Sequence, residues 1–261
     1  MDLQLKGKKA LVTGSTAGIG LAIATALARE GADVVINGRT EARVAEAVGK
    51  VRAEAKGSVS GIAADGGTRA GTDQMVSELG SVDVLVNNLG IFAPAPFDKI
   101  PDEDWLRFFE VNVMSGVRLS RAFLPGMLQR NWGRVVFISS ESGLQIPVEM
   151  IHYGMTKSAQ IAVARGLAET TAGTGVTVNS VLPGPTRSEG VGDFIQKLSN
   201  GKNFAEVERD FFEHVRPTSL LKRFETVEEI GSVVAFVCSP LASAVNGAAV
   251  RAEGGVVKSA F

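Results

Sequence analysis

The 261-residue sequence predicts an α/β protein built as a doubly wound parallel sheet of about seven strands, with helices on both faces. Short, branched, continuously apolar runs recur along the chain, the form taken by strands covered on both sides, and they alternate with stretches of helical periodicity. The first such run, Lys9-Ala10-Leu11-Val12-Thr13, leads straight into Gly14-Ser15-Thr16-Ala17-Gly18-Ile19-Gly20 and then into a helix. The composition agrees: 45% hydrophobic residues with only 6% aromatics suit a core of small aliphatic side chains, and 30 glycines against 9 prolines suit many tight strand-to-helix turns.

The same figures narrow the function. A net charge of −1, spread along the chain without a long basic run, argues against nucleic acid or an anionic membrane as the main partner. Cys238 is the only cysteine, so no internal disulfide forms, and its apolar run marks it as a core residue in a reducing compartment. The stretch from Met1 to Lys6 has no apolar signal core, and the chain has no long uninterrupted apolar run. The expectation is a soluble, cytoplasmic chain folding as a single domain over residues 1–261, since no linker, composition shift or internal repeat divides it.

Beyond the glycine-rich turn, Ile19, Ala22, Ile23, Ala26 and Leu27 repeat at helical spacing. A turn of this kind lets backbone N–H groups approach a pyrophosphate at a helix N-terminus, although the spacing also suits an ordinary tight turn. The second strand, residues 33–37, ends in Gly38-Arg39-Thr40. An NAD-binding fold places an acidic residue there for the ribose 2′-OH. Gly38 instead leaves room for a 2′-phosphate and Arg39 offers it a charge-assisted partner, so NADP(H) is preferred and NAD(H) is the second reading. A solvated Arg39 is the plain alternative.

A helix over about 41–56, a strand over 59–64 and a helix over 69–79 continue the alternation. Asp65 stands after the third strand, placed to accept from an adenine amino group or to cap a helix. The fourth strand, 82–86, ends in Asn87-Asn88-Leu89-Gly90, whose amides can tie strand ends to each other and to a cofactor ribose. A long helix is expected over 103–129, and Asn112 inside it points to a local distortion with a water-binding role. The fifth strand, 134–138, runs into Ser139 and Ser140, and a helix over about 151–172 follows.

That helix carries Tyr153, the only tyrosine in the chain, and Lys157 four residues on, so both project from one face. A phenol with an unperturbed pKa of ~10 is a poor proton donor or acceptor at neutral pH, and an adjacent ammonium lowers that value. A strand-end hydroxyl, a phenol and a lysine are the parts needed to move a proton on and off a carbonyl oxygen. The sixth strand, 176–182, is broken by Pro183-Gly184-Pro185, and a final helix over 227–238 and a strand over 248–251 complete the pattern. Residues 186–219 lose the alternation and carry Phe194, Phe204, Phe211 and Phe212, which suits a substrate lid or a peripheral packing element. Thr13, Asn87, Ser140 and Pro183 all fall at C-terminal strand ends, where a doubly wound sheet binds its ligands.

Over nearly its whole length the sequence resembles the short-chain dehydrogenase/reductase family, a Rossmann-type fold. The resemblance rests on the glycine-rich turn, Asn87-Asn88-Leu89-Gly90, Asn112, Ser140, Tyr153-Gly154-Met155-Thr156-Lys157 and Pro183-Gly184, and in style it lies nearest bacterial 3-oxoacyl-carrier-protein reductases. It implies that Tyr153 exchanges the proton of the carbonyl oxygen and that Lys157 lowers the pKa of Tyr153 and holds the nicotinamide ribose. It further implies that Ser140 binds the substrate oxygen and that Asn112 fixes a water feeding protons towards Lys157. Gly14, Ser15, Thr16, Gly18, Ile19, Gly20, Arg39, Asp65, Asn87, Gly90, Pro183, Gly184 and Thr186, with Tyr153 and Lys157, are the expected cofactor contacts. A homo-tetramer acting on a small-molecule carbonyl or alcohol is implied. No metal is expected, since His152 and His214 are the only histidines. Leu89 departs from the family's usual alanine, and Arg251-Ala252-Glu253-Gly254-Gly255 from its usual ending with aspartate. The competing reading is a dinucleotide-binding regulatory protein without chemistry. Ile91, Phe92, Leu144, Gln145, Val148, Glu189 and the segment 190–215 are expected to shape the substrate pocket.

Overall fold

In the computed structural model, which describes residues 2–188 and 203–260, the branched apolar runs become seven strands: β1 (Lys9–Val12), β2 (Asp33–Gly38), β3 (Val59–Ala63), β4 (Val84–Asn87), β5 (Gly133–Ile138), β6 (Val176–Pro183) and β7 (Ala249–Ala252). They form one sheet in the order β3-β2-β1-β4-β5-β6-β7, every neighbouring pair parallel. The helices of the described residues are α1 (Gly18–Arg29), α2 (Glu41–Arg52), α3 (Arg69–Leu79), α4 (Asp102–Phe109), α5 (Ser115–Gln129), α6 (Ile151–Glu169), α7 (Phe204–Asp210) and α8 (Val227–Cys238).

The continuous apolar character of the strands follows from the two-residue period of a strand. Ala10 and Val12 of β1 join Val34 and Ile36 of β2 in a core with Ile23 and Leu27 of α1 and Ile230 and Val234 of α8. The intervening Leu11 and Val35 join a second core with Met75 of α3, Leu119 and Phe123 of α5 and Ala164 of α6. Successive side chains point to opposite faces, so a sheet covered on both sides needs apolar residues at every position.

The strand order reverses at β1, where Ala10 pairs with Val34 on one side and with Val84 on the other. Since the strands are parallel, their C-terminal ends share one edge, and the reversal opens the crevice there.

The expected helix over 103–129 is interrupted. Between α4 and α5 the chain makes a π-helical turn over Glu110–Met114, with Asn112 at its centre. α2 and α6 also stop short of the expected 56 and 172. The N–H of Lys56 is drawn to the Ala28 carbonyl. Beyond α6, the hydroxyls of Thr170 and Thr171 donate to the carbonyls of Leu167 and Ala168, competing with further helix. In the segment expected to form a lid, residues 189–202, with Phe194 among them, lie outside the described residues. Asn203 caps α7 in a reciprocal pair with Glu206, and Phe204, Phe211, Phe212 and Phe224 pack together. Among the described residues, no helix is long and apolar enough to cross a membrane.

Candidate active site

The glycine-rich turn is shaped by close contacts. Gly14 and Gly18 have φ of +59° and +55°, the left-handed region that favours glycine. A Cβ on Gly20 would stand 2.5 Å from the Gly14 oxygen, so this helix start packs directly on the turn. Ala17 precedes α1 without a side chain able to cap it, leaving first-turn N–H groups for an anionic group at the positive end of the helix. These features fit a dinucleotide pyrophosphate.

Ser15 braces the turn. It is fully buried, its hydroxyl donates to the Val12 oxygen and accepts from the Asn37 N–H, and its own N–H donates to the Asn37 oxygen. The strand ends are tied mainly by Asn88, whose amide donates to the Thr13 and Gly14 oxygens at 2.9 and 3.0 Å. Asn87 donates to Ser120 and leaves its Oδ1 buried without a partner. Leu89 is accommodated because it faces glycines: its Cδ1 and Cδ2 would lie 3.3 Å from a Cβ on Gly14 and on Gly66.

At the end of β2, Gly38 makes room for Thr16, whose methyl would stand 2.4 Å from an added Cβ, and Arg39 is exposed beside them. Asp65 accepts from the Gly67 N–H at 3.0 Å, while Thr68 is the cap of α3. Thr186 is buried, and its hydroxyl donates to the Gly184 oxygen at 2.9 Å. The Arg251 departure fastens the C-terminal segment, since Arg251 bonds Glu253 Oε1 and the Val257 oxygen, each at 2.8 Å.

Ser140, Tyr153, Lys157 and Asn112 come together where β5, the start of α6 and the π turn meet. Lys157 Nζ lies 5.5 Å from the centroid of the Tyr153 ring and donates to the Ile138 oxygen at 2.8 Å and to Gln160 Oε1 at 3.2 Å. A Cβ on Gly90 would stand 3.5 Å from both Lys157 Nζ and Asn112 Oδ1, so glycine lets this loop close over them. Phe92 meets the Tyr153 ring edge-on, with centroids 6.2 Å apart.

Burial drives Lys157 down to about 7 against the opposing pull of Glu141, and drives the Tyr153 phenol up, with Glu141 adding to the rise and Ser140 and Arg216 opposing it. Burial disfavours the charged form of both groups. The side-chain amide of Asn112 is closed on the Ile91 backbone and Thr156, and its backbone carbonyl accepts from Gln160 Nε2 at 2.6 Å. The side chain of Gln160 stands between the Asn112 carbonyl and Lys157.

A cavity of about 770 Å³ opens over Ser140, Tyr153 and Lys157 and reaches Ile19, Gly90, Pro183, Gly184 and Thr186. A smaller one of about 250 Å³, beside Glu225 and Arg251, holds none of the four expected catalytic residues. Ile91, Phe92 and Val148 line the large cavity as expected. Leu144 and Gln145 do not: Leu144 is half exposed, and Gln145 reaches Thr218 instead. Glu189 lies outside the described residues.

The sequence reading missed a buried charge cluster on the cavity wall. Arg216 Nε donates to Glu141 Oε1 at 3.1 Å and its Nη1 to Glu149 Oε1 at 3.1 Å, while the Ser140 hydroxyl donates to Glu141 Oε2. Only the adjacency of Glu141 to Ser140 could have signalled it. Among the described residues, no group of histidine, cysteine and acidic side chains is placed to hold a metal.

Comparison with known proteins agrees with this geometry. The family model for short chain dehydrogenases matches residues 8–198. The chain is 49% identical over 264 residues to an uncharacterized oxidoreductase of Bacillus subtilis, YvaG, covering all of both chains. It is 32% identical to the 3-oxoacyl-[acyl-carrier-protein] reductase FabG of Aquifex aeolicus, over 98% of this chain and 100% of that one. Among solved structures, L-sorbose reductase from Gluconobacter frateurii, complexed with NADPH and L-sorbose, superposes with a TM-score of 0.91 at 31% identity, covering 99% of this chain and 100% of that one. The glycine-rich cradle, the serine, tyrosine and lysine around one cavity, and these matches lead to one conclusion: the chain belongs to the short-chain dehydrogenase family of oxidoreductases.

Proposed function

We propose that this chain is an NADP(H)-dependent oxidoreductase that interconverts a carbonyl and a secondary alcohol by hydride transfer, with Tyr153 as general acid and base. The observation that carries the reading is the meeting of Ser140, Tyr153 and Lys157 in a cavity that also reaches Ile19 at the glycine-rich helix start. When bound, the dinucleotide supplies the hydride. The protein's part is orientation and proton control.

Tyr153 gives its proton to the substrate oxygen during reduction and takes it back during oxidation. Ser140, at the end of β5, holds that oxygen. Lys157, fixed by Ile138 and Gln160, is directed at the nicotinamide ribose, and Gly90 admits it. Pro183, Gly184 and Thr186 offer their backbone to the nicotinamide, and Gly14, Gly18 and Gly20 shape the pyrophosphate turn. Arg39, exposed beside Gly38, faces the 2′-phosphate, and the NADPH in the L-sorbose reductase complex supports that preference. Asn87 and Asp65 serve the adenosine and ribose side. The segment 186–219 acts as the substrate lid, and the protein works in the cytoplasm as a homo-tetramer.

L-sorbose reductase and 3-oxoacyl-[acyl-carrier-protein] reductase are named for very different carbonyls, so the substrate test spans sugars, acyl thioesters, cyclic ketones and steroids, followed through NADPH absorbance. With a turned-over substrate, Tyr153→Phe abolishes turnover while NADPH still binds. Unchanged turnover in that variant overturns the mechanism. Failure of the whole panel favours a regulatory dinucleotide-binding protein.

A further inference from the structure

Glu225 is only 4% exposed, and its carboxyl is fastened to one wall of the large cavity. Its Oε2 accepts from the Gly184 N–H at 3.0 Å, a donor shared with the Ala252 oxygen at 3.1 Å, and lies 3.5 Å from the Thr186 hydroxyl. Its Oε1 fills a niche between two glycines: a Cβ would stand 2.9 Å from it on Gly184 and 3.2 Å from it on Gly254. The main chain repeats the attachment. The Glu225 N–H donates to the Pro185 oxygen at 2.9 Å, and the Glu225 oxygen accepts from the Arg187 N–H at 2.7 Å. Gly184, Pro185 and Thr186 line the cavity and Glu225 does not, so the carboxyl stands behind that wall.

The surrounding charges leave this carboxyl unmatched. Among the described residues no lysine or arginine bonds it: Arg223 is paired with Glu229, Arg251 with Glu253, and Arg187 turns its guanidinium over the Phe204 ring. Glu229 acts on it from the first turn of α8, Glu141 from the turn after β5 and Glu253 from the turn after β7, and all three are acids. On the cavity side stand Tyr153, Lys157, His214 and Arg216, the last paired with Glu141 and Glu149. Burial, opposed by the Gly184 N–H and reinforced by the three acids, lifts Glu225 to about 7. A buried anion without a partner is unfavourable, and a cation brought close to it favours the charged form.

We infer that the Glu225 carboxylate is the counter-charge that favours oxidised over reduced cofactor at the Pro183–Thr186 wall, which the function proposed above gives to the nicotinamide. A nicotinamide ring is a cation when oxidised and neutral when reduced, while the rest of the dinucleotide is the same in both. A fixed anion behind the wall therefore acts on one form and leaves the other almost untouched. Glu225 does this through its charge, as a positioning residue, with Gly184 between it and the cavity. The effect is reciprocal: the oxidised cofactor lowers the proton affinity of Glu225, and the reduced cofactor does not. The preference for NADP⁺ is thus present where Glu225 is ionised and is lost as the pH falls and the carboxyl takes up its proton. Reduction of a carbonyl consumes a proton, so the bias runs with the chemistry: acid favours holding the reduced form, and alkali the oxidised.

The test needs no substrate. Dissociation constants of NADP⁺ and NADPH are measured by calorimetric titration for wild type and Glu225→Gln, at pH ~5.5 and pH ~9, on either side of the Glu225 titration. At pH ~9, Glu225→Gln is expected to raise the NADP⁺ constant at least ~5-fold and to move the NADPH constant less than ~2-fold. At pH ~5.5, with Glu225 protonated, the two proteins are expected to agree within ~2-fold for both dinucleotides. Lys157 titrates in the same window, and comparing the two proteins at one pH cancels its contribution. Equal weakening of both dinucleotides is the mark of a loosened wall and overturns the inference. So does no change in either, or a change that is the same at both pH values. Should Glu225→Gln fold poorly, Glu225→Ala is read in the same way, because lost packing falls on both dinucleotides and lost charge on one. If wild type prefers NAD(H), NAD⁺ and NADH replace the pair. A wild type that binds no dinucleotide overturns the functional reading and this inference with it, whereas tight binding unaltered by the substitution overturns the inference alone.

Discussion

Gln160 donates through Nε2 to the carbonyl oxygen of Asn112 at 2.6 Å, and its Oε1 receives the Lys157 ammonium at 3.2 Å. One side chain thus joins the π turn Glu110–Met114 to the buried lysine. Replacing it by leucine removes both contacts at once: a buried ammonium loses an acceptor and a buried carbonyl loses a donor. Each unsatisfied group costs about 1–3 kcal/mol, so Gln160→Leu is expected to lower the urea unfolding free energy by roughly that amount or more. Leucine is of similar volume, which separates this loss from a cavity effect. A midpoint equal to wild type removes Gln160 from its bridging role.

The reach of sequence reasoning is visible in the same residues. The strand runs were readable because a sheet covered on both faces demands apolar residues at every position, and Leu11 and Val12, facing different cores, show it. A distortion at Asn112 was readable because an amide in mid-helix competes with the backbone. Gln160 was not, since its role depends on where the π turn leaves the Asn112 carbonyl. Glu141 and Arg216 lie 75 positions apart, and nothing local links them. Nor was the bracing role of Ser15 readable, since a serine in a glycine-rich turn looks the same whether it faces a ligand or braces the turn.

Arg39 supplies a test of cofactor choice. It is exposed at the end of β2, next to Gly38, which gives its space to the Thr16 methyl. Arg39→Asp exchanges a cation suited to a 2′-phosphate for an acceptor suited to a 2′-hydroxyl. The ratio of the NADPH to NADH dissociation constants is expected to rise at least ~10-fold, worth about 1.4 kcal/mol. Fluorescence titration with both dinucleotides measures it, and an unchanged ratio removes Arg39 from recognition.

Glu225 predicts a pH dependence of stability. It is buried, bonded by the Gly184 N–H at 3.0 Å and paired with Thr186 in an isolated parallel bridge, and burial lifts its pKa from 4.5 to about 7. Between those two values the folded protein keeps a proton that the unfolded chain has released. Stability therefore falls as pH rises through this window. Glu225→Gln holds the neutral form throughout and should lose this component, about 2 kcal/mol between pH ~4.5 and ~7. Urea unfolding of both proteins across the window checks it, and parallel curves refute it.

Gly20 and Gly49 make opposite predictions from the same substitution. A Cβ on Gly20 would stand 2.5 Å from both the Gly14 oxygen and the Asn88 amide nitrogen, whose contacts hold the glycine-rich turn against β4. Gly20→Ala must open that turn, at a cost of about 1–3 kcal/mol in stability, the usual range for overpacking a close contact. It also displaces the N–H groups at the start of α1, so the NADPH dissociation constant is expected to rise at least ~10-fold. Gly49 lies inside α2 with nothing within 4 Å of an added Cβ. There alanine only restricts the unfolded chain and improves helix propensity, and Gly49→Ala should stabilise by roughly 0.5–1 kcal/mol with NADPH binding unchanged. Thermal unfolding and NADPH titration of the two variants side by side decide the matter: if Gly20→Ala binds NADPH as tightly as Gly49→Ala does, the tight turn is not what holds the pyrophosphate.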